Sequence, residues 1–486
     1  MASSEKKADN FNSTVNLTSN AGFQSTLSID SKDIVSEKAY NPFEHRQLEH
    51  PNSTFGSVLH LLKACLGSGI LAMPAAFKNS GMAVGVLGTL IAGFVCTHTV
   101  HILVRTSQEV CVLAKKPSMG FAETCGAAFT YGPKRVQPWG GFIKTLIDYS
   151  MTLTYISILC VYVVFIGSSL KESIDVYYPH YNITIQVYCA LTLVPLVLIC
   201  QIRNLKYLVP FSAIANVGVM VVFFVTLYYM FIDLPPLKER EMVANVNQWP
   251  LFLSTVIFAM EGIGVVMPVE NEMAKPQQFL GCPGVLNVSM IIVITLYGVF
   301  GFFGYLQFGD AVKGSVTLNL PQDQWVAQGA KLLMALVIYF SYALQFYVPM
   351  EMIQRVLKAK MSDKYENVIQ VSIRTVLVTI SVAIAAAFPN LELVISLVGA
   401  FFFSTLGLLI PAVVETVYRW DKDLGKFNYV IIKNIIIGII SIITLITGSY
   451  VSIIGMIEDF SGHHTDSLLN EPQNFTLNDP QNYTLT

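Results

Sequence analysis

The sequence predicts an all-α polytopic membrane protein of eleven transmembrane helices. Two five-helix repeats of opposite topology are followed by one added helix, and the first and sixth helices are broken. Three observations predict this: an unusually apolar composition, charge-free runs of bilayer length, and two glycine-rich interruptions set five spans apart.

Of the 486 residues, 53% are hydrophobic and only 13% charged. Soluble domains carry about a quarter charged residues, so a water-soluble fold is excluded. The stretches 81–104 and 284–308 contain no Asp, Glu, Lys or Arg. About 20 apolar residues cross a hydrocarbon core of roughly 30 Å, so each run spans alone. Strict apolar/polar alternation, the mark of a membrane barrel, is absent. A net charge of −2 gives no argument for nucleic acid. The eight cysteines are scattered without a CxxC pair and read as small buried hydrophobes rather than metal ligands. No metal-spaced His/Glu cluster and no glycine-flanked serine elbow is present, so neither an enzyme nor a metal or other cofactor is expected.

Apolar runs between turn and charge signals place the spans near 55–77, 81–104, 142–170, 184–202, 205–232, 249–270, 284–308, 326–352, 367–388, 391–414 and 429–456. A short interfacial helix fits near Gly120 to Tyr131. The membrane domain is then 54–457, with repeat one at 54–232, repeat two at 249–414 and the extra helix at 429–456. Residues 1–53, rich in Ser, Asn, Lys and Glu and without an apolar leader, read as a disordered cytoplasmic tail. Tyr40-Asn-Pro-Phe43 within it fits a tyrosine-based sorting pattern. With that tail inside, the cytoplasmic connections hold fifteen Lys and Arg against five on the other side. The 458–486 tail is then extracellular or lumenal. Glycosylation sequons at Asn474 and Asn482 lie in it, and a third at Asn182 lies in an outer loop. Those at Asn12, Asn16 and Asn52 would be inert in the cytoplasm.

The backbone signals are sharper. Span one contains Gly67-Ser68-Gly69 at mid-membrane, and span six contains Gly262 and Gly264 directly after Glu261. Each break is followed by a proline, Pro74 and Pro268. Unwound backbone at bilayer depth is tolerated only where protein buries it or it lines a cavity, and paired interruptions in two halves point to a carrier's midplane site. Free N–H groups at a half-helix start hold a carboxylate, and free carbonyls at a half-helix end hold an ammonium. The pair suits a zwitterion such as an amino acid. The candidate binding residues are Ala64, Gly67, Ser68, Gly69 and Ile70 on span one, with Phe258, Ala259, Glu261 and Gly262 on span six. The competing reading is that these glycines only allow close helix packing.

Charged groups inside spans need a partner, a cavity or a helix end. Lys331 and Arg374 lie near span ends and are expected to snorkel; Asp148 is expected to pair with Lys144 four residues earlier. Glu261, at the break itself, reads as a protonation site, a cation partner or a latch between half-helices. His60 precedes Gly67 by about 10 Å of helix. Its ordinary pKa, about 6.5, suits proton exchange; a neutral histidine bonded to a neighbouring carbonyl is the alternative.

Several blocks in order carry a family resemblance: His60-Leu-Leu-Lys63, Gly67-Ser-Gly-Ile-Leu71, Glu261-Gly-Ile-Gly264 with Glu270-Asn271, Gly304-Tyr-Leu-Gln-Phe-Gly309, Tyr342-Ala-Leu-Gln-Phe-Tyr-Val-Pro349, Arg374-Thr-Val-Leu-Val378 and Leu393-Val-Ile-Ser-Leu-Val-Gly399. From about Phe55 to Met456 the chain resembles the proton-coupled amino-acid transporters of the amino acid/auxin permease branch, and looks like an insect-type member. The resemblance implies a LeuT-type inverted repeat moving alanine, glycine or proline with a co-transported proton. It makes His60 the proton-coupling residue; the place of Glu261 at the break, not the resemblance, suggests it as the second proton-coupling group. Some relatives carry a disulfide between the third and seventh outer connections; the connection after span seven has no cysteine here, so that bond is expected to be missing. The family also contains amino-acid sensors with little flux, which would bring nutrient-signalling partners at endolysosomes. The plasma membrane and the late endosomal or lysosomal membrane are both implied. A sodium-coupled carrier of the same fold would need oxygen ligands between spans one and eight, where Ser341 is available.

Overall fold

A computed structural model describes residues 40–46, 48–49, 51–181, 183–260, 262–358 and 366–469. Glu261, Asn182, Asn474 and Asn482 lie outside the described residues, and so does the chain before Tyr40. Among the described residues the fold is helical, with one isolated parallel bridge, Asn52 to Met273, and no strands.

The helices in order are α1 (Thr54–Cys65), α2 (Ser68–Ser80), α3 (Met82–Ala114), α4 (Phe121–Thr130), α5 (Gly140–Ile174), α6 (Ile185–Leu191), α7 (Leu193–Cys200) and α8 (Leu205–Phe231). There follow α9 (Trp249–Met260), α10 (Ile263–Asn271), α11 (Val285–Phe308), α12 (Trp325–Lys358), α13 (Glu366–Ala387) and α14 (Leu391–Val398). A π-helical stretch, Gly399–Leu409, joins α14 to α15 (Ile410–Arg419), and α16 (Tyr429–Leu469) closes the bundle.

Among the described residues nine helical segments are long and apolar enough to cross a bilayer, and the bent pair α1–α2 makes ten. The expected span at 184–202 is the exception. Ile185–Cys200 is a shorter apolar helix, interrupted at Thr192, and reaches about 24 Å against a core of roughly 30 Å. Eleven spans therefore requires that short segment to cross. At the other end α16 continues past residue 456, because hydropathy ends there while backbone bonding does not. Asn390 donates to Asp459 at 2.6 Å and ties the extension to the start of α14.

Phe77 shows how the α2 side of the bundle is packed. Its ring is fully buried and meets Phe252 edge-on at 6.4 Å. It is clasped by glycines: a Cβ on Gly85 would lie 2.6 Å from the ring, and one on Gly301 would overlap it. Helices α2, α3, α9 and α11 meet there because two positions lack side chains. The π-helical stretch was not foreseen. It begins at Gly399, whose missing Cβ admits the carbonyl of Ser254 on α9.

Two expected snorkelling residues are buried instead. Lys331 is fully enclosed, and Arg374 is 3% exposed. Arg374 donates to the carbonyl of Cys200 at 2.6 Å and stacks over Phe346, so it caps the end of α7 rather than reaching for water. The Lys144–Asp148 pair gives way to Lys144–Glu123 at 3.4 Å, which joins α5 to α4.

Replacing Gly301 with Val should displace Phe77 and cost about 1–3 kcal/mol by overpacking. A lowered unfolding midpoint of the purified protein would show it, and an unchanged midpoint would contradict this account of the clasp.

Candidate functional site

The two breaks are narrower than their glycines suggest, and they meet. Helix α1 ends at Cys65, and Gly67 N–H folds back to the Cys65 carbonyl at 2.8 Å. Helix α2 starts at once with Ser68, bent by 52° from α1. In the second break α9 ends at Met260, and Gly262 precedes α10, its carbonyl accepting from Val265 and Val266 at 2.9 Å. Thus Ser68, Gly69 and Gly264 are already helical; Leu66 and Gly67 make up the first break, and Gly262 is the described residue of the second.

The start of α2 lies against the end of α9. A Cβ on Gly69 would fall 2.8 Å from the Ala259 Cα, so glycine is required for the approach. A Cβ on Gly262 would sit 3.7 Å from the Cys65 sulfur, while at Gly67 it would enter open space. Close packing and a site at the break are therefore compatible. Gly69, Ala259 and Gly262 come together, with Ser68 and Ile70 buried beside them. Phe258 is 8% exposed and covered by Phe403 of the π-helical stretch, ring centres 5.6 Å apart. Ala64 and His60, one turn apart on α1, are both exposed, on the side away from buried Leu61 and Cys65.

One side chain joins the breaks. Tyr297 of α11 is fully buried, and its hydroxyl contacts the carbonyls of both Cys65 and Ala259, the latter at 2.9 Å. These carbonyls belong to the last turns of α1 and α9, where intrahelical donors run out. A phenol has one proton, so it serves the two oxygens only by sharing it. On the other side of each break, the first turns of α2 and α10 have no side-chain cap. Near Gly264 the Tyr155 hydroxyl packs where a Cβ would otherwise be. The result is two carbonyl ends and two N–H ends at mid-bundle, carrying opposite partial charges of about half a unit each. Tyr297 was missed because its partners are remote in sequence. The available signal was a phenol midway along a charge-free run, where its hydroxyl must find a partner.

Ion pairs close the bundle at both ends. At one end Arg46 donates to both Glu270 carboxylate oxygens, at 3.2 and 3.1 Å, and to the Glu270 carbonyl at 2.9 Å. It also donates to the Pro117 carbonyl at 2.9 Å. Gln108 adds a bond to Glu270 at 2.9 Å, and Asn271 donates to Met119. The segment before α1 is thereby stapled to the end of α10 and to the α3–α4 connection. At the opposite end Glu392 of α14 accepts from Lys78 at 2.8 Å and Asn79 at 2.6 Å, both on α2.

The profile of the family described as "Transmembrane amino acid transporter protein" matches residues 50–454. The chain belongs to that family. It is therefore an amino-acid carrier of the membrane, not an enzyme. "Proton-coupled amino acid transporter-like protein pathetic" of Drosophila melanogaster is 39% identical over 434 residues, covering 89% of this chain and 92% of the fly protein. "Vacuolar amino acid transporter 3" of Saccharomyces cerevisiae is 28% identical over 387 residues, covering 77% of this chain and 52% of the yeast protein. A solved structure, "Inward facing conformation of Mhp1", matches in fold with a TM-score of 0.51 at 11% identity, over 83% of this chain and 93% of that one. The chain thus shares the LeuT-type helical fold expected from the sequence.

Arg46→Ala would leave the Glu270 carboxylate buried without its cation, at a cost of about 3–5 kcal/mol to this closed end. Cys65, 4% exposed, should then react faster with a small thiol reagent, read by mass spectrometry. Unchanged labelling would mean the staple does not guard the breaks.

Proposed function

We propose that the chain is a proton-coupled carrier of small neutral amino acids, working by alternating access around the meeting point of the two breaks. The observation that carries this is the Tyr297 hydroxyl between the carbonyls of Cys65 and Ala259. Two carbonyl oxygens and a phenol oxygen offer three acceptors, the number an ammonium with three donors needs. The N–H groups of Ser68 and Gly69, in a first turn without a side-chain cap, are the matching pole for the carboxylate, beside Gly67, whose own N–H is turned back to Cys65. The close approach of Gly69 to Ala259 leaves little room, which favours alanine, glycine or proline over larger cargo.

Alternating access needs each end to open while the other stays shut. The Arg46–Glu270 staple and the Lys78–Glu392 latch are suited to be those two closures. His60 is exposed on α1, close enough to the break to link its protonation to loading, with Glu261 as the second acid–base group in this reading. The name of the fly relative supports the proton. The charge bias of the connections supports a cytoplasmic amino terminus, and the yeast relative's name supports a lysosome-like membrane.

Purified protein in proteoliposomes should accumulate labelled alanine under an inward proton gradient and not under a sodium gradient. One pH unit supplies about 1.4 kcal/mol, about tenfold accumulation. His60→Ala should abolish the proton drive. Sodium-driven uptake would overturn the coupling, and binding without flux would favour a sensor. In Tyr297→Phe one charge-assisted bond is lost, about 1.5–3 kcal/mol, so the alanine Kd should rise at least about tenfold; an unchanged Kd would remove Tyr297 from the site.

A further inference from the structure

Away from the breaks, a cavity of about 680 Å³ opens between α3, α11, α15 and α16. Its deeper wall is apolar and includes Leu90, Phe94 and Ile291. All three are exposed, so this wall faces the bilayer rather than the protein core. The other end of the cavity lies where α11 and α16 begin and α15 ends, and it is lined by Arg105, Arg419 and Lys433. The imidazoles of His98 and His101 stand between the two zones. From Leu90 to Arg105 along α3 is about 22 Å at the helical rise. That matches the hydrocarbon of one leaflet, about 15 Å, with part of the headgroup layer added.

The charges at the polar end do not balance. Glu415 accepts from Lys433 at 2.7 Å and from Asn434 at 3.0 Å, and the Arg419 Nε lies 3.7 Å away. Glu109 receives Arg105 at 3.1 Å and Arg419 at 2.8 Å. Three cations therefore meet two carboxylates, and one positive charge is left over at the edge of a low-dielectric region. Beside it the His98 Nε2 is buried with no hydrogen-bond partner among the described residues. A buried polar atom without a partner is costly, and His98 lines the cavity, so turning its imidazole toward an anion seated there would relieve that cost.

We propose that this cavity holds an anionic glycerophospholipid. Its phosphate lies against Arg105, Lys433 and His98, and an acyl chain runs along the apolar wall of α3 and α11. A basic pocket between membrane helices at headgroup depth is suited to an acidic headgroup. A zwitterionic lipid would bring its own cation into a ring that already holds one too many. A soluble anion would use the polar end and leave the apolar wall unfilled. Only the leaflet, the cytoplasmic one, rests on the orientation proposed above; occupancy depends on neither the cargo nor the coupling ion.

The test uses the full chain reconstituted in phosphatidylcholine with a trace of spin-labelled phosphatidylglycerol or spin-labelled phosphatidylcholine. The motionally restricted fraction of each label gives its relative association. Phosphatidylglycerol should be favoured by about fivefold. The preference should fall toward unity in the Arg105→Gln/His98→Gln variant and persist in Arg105→Lys. It should also persist in Lys134→Gln/Arg135→Gln, which removes cations elsewhere. Unfolding midpoints of all variants in phosphatidylcholine show which of them remain folded; if Arg105→Gln/His98→Gln does not, the wild-type preference and Arg105→Gln alone decide. Equal association of the two labels with the wild type would overturn the proposal. So would a preference that survives loss of Arg105 and falls with Lys134 and Arg135, since that would be a diffuse surface potential.

Discussion

The structure depends on keeping interrupted backbone satisfied where there is no water. At each break a helix ends and another begins inside the bundle, and each end leaves polar groups that hydrocarbon cannot solvate. Tyr297 answers this for the two carbonyl ends with one hydroxyl reaching Cys65 and Ala259. That contact fixes where α11 must stand relative to both broken spans, and the remaining packing agrees with it. Gly301, one turn further along α11, makes room for Phe77 of α2, and Gly69 lets α2 touch α9. The same carbonyls that require a partner for stability are the ones an ammonium would use. In the function proposed above, stability and binding would draw on one set of oxygens.

Much of this architecture was legible in the residue order. Charge-free runs marked the spans, and glycine with a following proline marked both breaks, because each cue is local. What stayed hidden depended on distant partners. Tyr297 looked like one more apolar-run residue, because its two acceptors lie on other helices. Arg374 looked like a snorkelling cation, because the carbonyl of Cys200 that it caps is far away in sequence. Lys331 also looked like a residue reaching for water, and the bundle encloses it. The π-helical stretch begins at a glycine whose need is set by Ser254 of α9. His60 was read as a candidate for proton exchange from its residue type, but hydropathy alone could not tell that it is exposed on α1.

The fold is shared with a solved transporter at only 11% identity. This is intelligible if what the fold demands is a pattern: spans of sufficient length, two soft points in register, and small residues where half-helices cross. Many sequences meet those demands. What a carrier moves is decided by the few groups at the soft points, so cargo is argued from the site and not from the bundle.

The two closures differ in how far they lie from water, and this has an electrolyte consequence. The side chains of Arg46 and Glu270 are 6% and 2% exposed, whereas those of Lys78 and Glu392 are 23% and 16% exposed. Mobile ions screen charges they can approach and leave enclosed ones almost untouched. A rise in ionic strength therefore loosens the end held by Lys78 while the end held by Arg46 keeps its grip. In the alternating-access reading proposed above, the salinity of one compartment, and much less that of the other, would bias which way the molecule opens.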